Sequence, residues 1–553
     1  MKRLLEALIR QALEAAHGAG HLRTATPPAF TVEVPSEAKF GDLSTNVALV
    51  LARGEGRPPR PIAEQLREHL LALAPASWLT AVEIAGPGFI NFRLAPAFWQ
   101  ALLRDALAAG ASYGRSDTGA GRRVHLEFVS ANPTGPLHVG HGRGAVIGDV
   151  IARLLEATGY EVEREYYVND HGRQMDILGE STLVRYRQLG GEDVALPADA
   201  YPGEYVVDVA RQLRAEEGQA FGALSADEAV RRSAAFAGRV LLADIQRDLA
   251  DFGVRFDRFV SERELYADGE LDTALAAVPP DLLYRDDGAL FFRSTALGDE
   301  KDRAVLRGSG EPTYFGGDVA HHHRTLARPW AQLVNVLGAD HHGYVARLRA
   351  IVAALGHPPA LLRVVLVQLV NLTRGGEPVR MGKRAGEFVT LREVLDEVGR
   401  DAARFFFLLR KADSQLEFDL ELAKQQSTDN PVFYVQYAHA RIASVFRQAA
   451  ESGVVVPDSA PDLSPLGEPE SELLRTVGGY PDVVEAAARD LEPHRIVFYA
   501  LELAGAFHRY YNRQRFLTDD RALTQARLAL ARCVQQVLRG ALDLAGVAAP
   551  ERM

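Results

Sequence analysis

The stretch Glu127-Phe-Val-Ser-Ala-Asn-Pro-Thr-Gly-Pro-Leu-His-Val-Gly-His141 decides the fold of this chain. It follows on from a short apolar strand, Val124 to Val129, and ends in two histidines, His138 and His141, where a helix begins. That helix is legible in Ile147, Val150, Ile151, Leu154 and Leu155, whose i, i+3, i+4, i+7, i+8 spacing makes one apolar face. Gly159, just past the run, reads as its C-cap. Gly135, Gly140 and Gly142 let the backbone come close to a ligand. A helix N-terminus offers free N–H groups and the positive end of the macrodipole, which together suit phosphate. Imidazoles placed there can donate to phosphate oxygens as charge builds up. The competing reading is a Gly/Pro-rich turn with two incidental histidines, because short motifs misfire often. Placement between a strand and an amphipathic helix argues against it.

Working outward, further strands stand at Leu333 to Leu337 and Val364 to Val370, and helical patterns lie between them. Such alternation predicts a doubly wound parallel sheet with ligands at the strand C-terminal ends. A polar, helical stretch from about 166 to 265 separates the two halves and reads as an insertion, with a loop from Gly190 to Gly203. This block is taken as residues 113–414. Residues 1–112 hold helices and then extended segments, and end in the loop-rich Gly110-Ala-Ser-Tyr-Gly-Arg-Ser-Asp-Thr-Gly-Ala-Gly121. Residues 415–553 are almost entirely helical in pattern, broken by a loop from Val456 to Pro465. The expected architecture is therefore an α/β Rossmann-type domain between an α+β N-terminal domain and an all-α C-terminal domain.

Composition narrows the function classes. With 553 residues the chain can bury several cores. Its net charge of -11 argues against sequence-independent nucleic-acid binding over the whole surface, while leaving room for a local basic face. The single cysteine, Cys533, excludes an internal disulfide framework and a cysteine zinc site, and sits in an apolar helical run that reads as core. Met1 to Arg10 reads as an amphipathic helix and not a signal peptide. No apolar run is long enough to span a membrane, and the cytoplasm is the expected location.

A second chemical element follows Val370: Asn-Leu-Thr-Arg-Gly-Gly-Glu-Pro-Val-Arg-Met-Gly-Lys-Arg-Ala-Gly386. This glycine-rich loop carries Arg380, Lys383 and Arg384, and Thr390 with Glu393 forms a capping box for the next helix. Clustered cations on a mobile loop can close over a triphosphate. A solvated basic loop is the alternative. Histidines at 321–323 and 341–342 raise the question of a metal. Consecutive helix residues point about 100° apart, so three in a row cannot converge on one ion, and no metal site is expected.

The histidine motif resembles that of class I aminoacyl-tRNA synthetases, and Ser130-Ala-Asn-Pro-Thr-Gly-Pro-Leu-His-Val-Gly-His141 resembles the arginyl-tRNA synthetase form. The resemblance runs the length of the chain. It takes in Phe40-Gly-Asp-Leu-Ser-Thr-Asn46, Ala85-Gly-Pro-Gly-Phe-Ile-Asn91, Tyr166-Tyr-Val-Asn-Asp170, Gly338-Ala-Asp-His-His342, Gly386-Glu-Phe-Val-Thr-Leu391, Gln436-Tyr-Ala-His-Ala-Arg441 and Ala549-Pro-Glu-Arg-Met553. Arg380-Met381-Gly382-Lys383 resembles the family's lysine–methionine–serine–lysine loop, with Arg380 keeping the charge and Gly382 lacking the hydroxyl.

The resemblance implies ATP, supplied with Mg²⁺ as a substrate complex, together with L-arginine and arginine tRNA, and no tightly bound cofactor. It implies ATP contacts at Pro133, Thr134, Gly135, His138, Gly140, His141, Arg380, Met381 and Lys383, with His138, His141 and Lys383 catalytic. Glu127 and Asp318 would hold the guanidinium, Tyr314 would wall the pocket, Asn132 would take the α-amino group, and Asp340 and His341 would lie beside them. Arg–carboxylate pairing is favoured because the planar fork binds bidentately. The competing readings are an exposed strand position for Glu127 and a helix cap for Asp318. The resemblance further implies tRNA contacts at Phe40 and Asn46 in the N-terminal domain and at Tyr434, Tyr437, His439 and Arg441 in the helical one. A monomer is expected. Rival readings are another class I synthetase, such as the cysteine enzyme, and a catalytically silent tRNA-binding paralogue. Missing zinc-ligand cysteines count against the first, and intact His138, His141 and Lys383 against the second.

Overall fold

The computed structural model describes residues 1–553 apart from 25, 36, 76, 380–388 and 458. The chain opens on the amphipathic helix Lys2–Gly18, which buries Leu5, Leu8, Ile9, Ala12, Leu13 and Ala16 along one stripe. A four-stranded antiparallel sheet follows, ordered Val32–Glu33, Leu43–Thr45, Phe89–Leu94, Leu79–Ala85.

Five parallel strands form the central sheet: β1 Arg123–Phe128, β2 Glu161–Val168, β3 Arg258–Ser261, β4 Gln332–Gly338 and β5 Leu362–Val367, in spatial order β5-β4-β1-β2-β3. The order reverses between β1 and β4, which is where an open doubly wound sheet opens its crevice. Helix α1, Val139–Ala157, buries Val146, Ile147, Val150, Ile151, Leu154 and Leu155. Gly148 lets it lie directly on β1, since a Cβ there would come within 2.3 Å of the Phe128 ring. Gly159, at φ 84°, takes the left-handed position just beyond the helix.

One expectation fails at the last strand. The apolar run from Val364 to Val370 is two strands: β5 stops at Val367, and β6, Val370–Arg374, belongs to a separate three-stranded sheet beside Leu416–Asp419. Between them the Gln368 N–H donates to Ala412 O, and the Gln368 carbonyl accepts from Arg143, while Leu369 is 66% exposed. The break turns on two backbone groups finding partners outside the sheet, which an apolar pattern cannot display.

Between β2 and β3 are inserted three helices, α2 Arg173–Leu189, α3 Glu204–Glu217 and α4 Ala226–Asp251, with their own core of Leu178, Val209, Leu213, Phe236 and Leu241. Helix α5, Tyr314–Leu326, precedes β4, and α6, Tyr344–Ala354, follows it. The C-terminal bundle contains α7 Pro431–Glu451, α8 Ser471–Asp490, α9 His494–Arg513 and α10 Arg521–Ala545. Cys533 is buried there as expected, and burial pushes its thiol up to about 12. The fully buried Arg404 ties these parts together: its guanidinium donates to Ala545 O at the end of α10, to Phe252 O just past α4, and to Asp149 on α1. Among the described residues no helix is long and apolar enough to cross a membrane.

Candidate active site

The two motif histidines cap their own helix. His138 Nδ1 accepts from the N–H groups of Gly140 and His141 at 3.1 and 3.4 Å, and His141 Nδ1 accepts from the His138 N–H at 3.2 Å. The rings stack with centroids 3.6 Å apart. The expectation that these N–H groups stand free for phosphate is corrected here, because the His138 ring already takes two of them. The arrangement fixes the tautomers: with each Nδ1 an acceptor, the proton sits on Nε2. Burial lowers both imidazoles, His141 to about 3 with the help of His138, while the charge of Asp340 partly offsets the lowering at His138. Both rings are thus neutral Nε2–H donors near pH 7.

The second motif segment meets the first at its root. The Val139 N–H donates to Val389 O at 3.2 Å, the Leu391 N–H donates to Leu137 O at 2.7 Å, and His138 bridges to Thr390. Thr390 and Glu393 form the expected capping box. Arg380, Met381 and Lys383 lie outside the described residues. A cavity of about 1030 Å³ opens beside this root, lined by His138, Gly140, Leu369, Val379, Val389 and Phe498 among others.

An acidic pocket lies at the C-terminal ends of β1, β2 and β3. Glu127 is 7% exposed, so the surface-strand reading is wrong. Its carboxylate accepts from Ser130 Oγ at 3.0 Å and Asn335 Nδ2 at 2.9 Å, and lies 3.9 Å from His321 Nδ1. Asp318 lies in the second turn of α5, whose cap is Thr313, so it is not a helix cap. Its Oδ2 is shielded from solvent and has no hydrogen-bond partner. Burial raises its carboxyl to about 7; the Tyr344 hydroxyl bond opposes this, and the charge of Glu127 adds to it. Glu262, just past β3, has a second shielded oxygen without a partner, Oε2, while Oε1 accepts from Tyr266 at 2.6 Å. Burial raises it to about 7 as well. Gly317 leaves room for this group: a Cβ there would stand 2.5 Å from Glu262 Oε1 and 3.0 Å from the Tyr167 hydroxyl. A shielded carboxylate oxygen with no donor is costly, and two in one pocket call for a cation with several N–H groups.

His321 to His323 diverge as helix geometry requires. His321 Nε2 pairs with Glu165 at 2.6 Å; burial would lower the ring, but that bond and the charges of Glu165, Glu127 and Asp318 raise it to about 9. His322 Nδ1 donates to Asp318 O at 2.9 Å, and burial takes the ring to about 3. His323 pairs with Glu270. Separately, His125, Glu163 and Glu165 are spaced closely enough to ligate an ion, but Arg328 already holds Glu163 at 2.6 Å, and His321 holds Glu165.

Of the other expected residues, Asn132 gives its amide N–H to Gln174, Pro133 is buried, and Tyr314 is 49% exposed at the first turn of α5. Asp340 and His341 are exposed at the end of β4, on the His138 side. Sequence reasoning missed Glu262, Tyr167, Tyr266 and Tyr344. The one signal for Glu262 was a carboxylate just past a strand, and that strand was hidden inside the stretch read as insertion.

In the N-terminal domain, Asn46 Oδ1 accepts from the Thr31 N–H at 2.8 Å, and Lys39 Nζ lies over the Phe40 ring at 4.9 Å. On the bundle, Arg441 lies over both Tyr437 and Tyr511 at 4.6 Å, and Tyr434 packs on His508 at 4.7 Å. Tyr434, Tyr437, Arg441 and Tyr511 are half-buried, and His508 is buried. His439 is fully buried and bonds Pro550 O at 2.8 Å, so it offers no base-stacking face.

Fold and site together define a class I aminoacyl-tRNA synthetase. Residues 102–419 match the model for the class I (R) tRNA synthetase catalytic domain, and a methionyl-tRNA synthetase from Mycobacterium tuberculosis shares the fold at 15% identity, with a TM-score of 0.51 over 76% of this chain and 91% of that one. Residues 3–94 match the arginyl tRNA synthetase N-terminal domain, and residues 435–553 the DALR anticodon binding domain. The chain belongs to the arginyl-tRNA synthetase family. An arginine–tRNA ligase of Syntrophotalea carbinolica is 51% identical and one of Geobacter sp. 49% identical, each over 100% of both chains. The arginyl-tRNA synthetase structure from Thermus thermophilus superposes with a TM-score of 0.77 at 26% identity over 100% of both chains.

Proposed function

We infer that the chain joins L-arginine to the 3′ end of arginine tRNA in two steps, using ATP supplied with Mg²⁺. The arginine carboxylate attacks the α-phosphorus, and pyrophosphate leaves; a ribose hydroxyl of the terminal adenosine then attacks the arginyl carbonyl, and AMP leaves. No protein nucleophile is needed, so catalysis rests on positioning and charge stabilisation. His138 and His141 donate from Nε2 to phosphate oxygens, and Lys383 brings a full positive charge from its loop. Pro133, Thr134, Gly135 and Gly140 line the nucleotide, with Arg380 and Met381 on the loop side. Asp318 and Glu262 hold the guanidinium beside Glu127, Tyr314 walls the pocket, Asn132 accepts the α-ammonium, and Asp340 and His341 border the site. Phe40, Asn46, Tyr434, Tyr437 and Arg441 meet the tRNA. The working unit in this reading is a monomer, acting in the cytoplasm where tRNA is charged for translation.

The observation that carries this reading is the pair of shielded, unpartnered carboxylate oxygens on Asp318 and Glu262. Asp318→Asn keeps the shape but removes the charge, and leaving a buried cation without its partner costs about 3–5 kcal/mol. The variant is expected to lose most of its kcat/KM for arginine in tRNA-supported pyrophosphate exchange. Its preference for arginine over citrulline should shrink, and its ATP affinity should stay near parental. An Asp318→Asn enzyme that charges tRNA with arginine at parental efficiency removes Asp318 from the pocket.

A further inference from the structure

The turn that follows β1 is strained. Val129 has φ 71° and Ser130 φ 42°, in the left-handed region that a β-branched residue avoids. Such backbone persists only where the surroundings over-determine it. Part of the bracing is the sheet's own. Ser130 Oγ donates to Glu127 and accepts the Tyr167 N–H at 3.2 Å, and the Tyr166 hydroxyl donates to Ala131 O at 2.8 Å. The next residues are held from outside the sheet, by the insertion. Asn132 Nδ2 donates to Gln174 Oε1 in the first turn of α2. The Tyr205 hydroxyl, in the first turn of α3, donates to Thr134 O at 2.9 Å. Gly135 makes that approach possible: a Cβ there would stand 3.1 Å from the Tyr205 hydroxyl. The Tyr205 ring packs on the insertion's separate core, so the hydroxyl is delivered from a fixed post.

We propose that the insertion is a working part of the active site, with Tyr205 and Gln174 as positioning residues that hold the strained turn in the geometry amino-acid activation requires. Neither touches substrate. Tyr205 fixes the Thr134 carbonyl, and through it the backbone that leads to Gly135 and the histidines. Gln174 takes the Asn132 amide N–H, which turns Oδ1 the other way and presents the acceptor that an α-ammonium needs. The proposal rests on reading this turn as the ATP and arginine turn.

The test uses the full chain with tRNA present. Tyr205→Phe keeps the ring and removes one hydrogen bond. Because the transition state tolerates misplacement less than the ground state, kcat of pyrophosphate exchange should fall roughly 3–10-fold, while KM for ATP stays within about twofold and the melting temperature within about 2 °C. Gln174→Leu should raise KM for arginine by a similar factor and leave KM for ATP unchanged. Parental kinetics in Tyr205→Phe overturns the proposal, whatever the melting temperature does. Should Tyr205→Phe not fold, Gln174→Leu decides, and a parental arginine KM there overturns it. Asn132→Ala separates the two readings. If it too is parental, the reading of the turn has failed; if it is impaired while Tyr205→Phe is parental, only the present proposal has.

Discussion

In the proposed site, Asp318 and Glu262 are each half of an ion pair whose cation, the guanidinium of arginine, comes from solution. Both carboxyls are raised to about 7, by burial first and then by neighbouring negative charge. Below pH 7 the empty pocket takes up protons, and a protonated carboxyl cannot hold a guanidinium, so arginine affinity falls with pH; above 7 the groups are ionised and affinity levels off. We expect the arginine dissociation constant, measured by calorimetry with tRNA bound, to rise about tenfold or more between about pH 8 and about pH 6. An affinity flat across that range would show that the carboxyls do not carry the binding. Asp318 was accessible to sequence reasoning through its spacing from Tyr314 and the family resemblance. Glu262 was not, because its role comes from β2 and β3 lying side by side and from the missing Cβ of Gly317.

At the scale of elements, the start of the motif helix is joined to the segment at Val389–Leu391. Backbone bonds between Leu137–Val139 and Val389–Leu391 hold these two segments together beside the histidines. Lys383 stands six residues before Val389. We expect Lys383→Ala to lower the single-turnover rate of arginine activation by on the order of 3 kcal/mol, while arginine affinity changes little, because the charge it meets develops in the transition state. A collapsed affinity with a parental rate would assign Lys383 to ground-state binding. The helix and its strand were legible from the period of their apolar residues. The break at Gln368 was not, because Val and Leu read alike whichever sheet they join.

For the whole molecule, Arg404 ties the helix behind His138 and His141 to the ends of α4 and α10. The bundle that carries Tyr434, Tyr437 and Arg441 is thereby packed against the helix that begins at the motif histidines. The family resemblance implies that arginine activation requires tRNA. Arginine-dependent pyrophosphate exchange is expected to be low without tRNA and to rise when arginine tRNA is added. Brisk exchange in its absence would contradict this.

Taken alone, the sequence determined what is local: the strand–turn–helix of Glu127 to Ala157, the capping box at Thr390 and the expectation of a doubly wound sheet. Each of these depends on residue period or on side chains a few positions apart. Only the tertiary structure decided that His138 caps its own helix, that Glu262 joins Asp318, and that Tyr205 braces a strained turn some seventy residues earlier. Those contacts join segments far apart in the chain, and whether a carboxylate oxygen is left without a donor depends on every neighbour that packs around it.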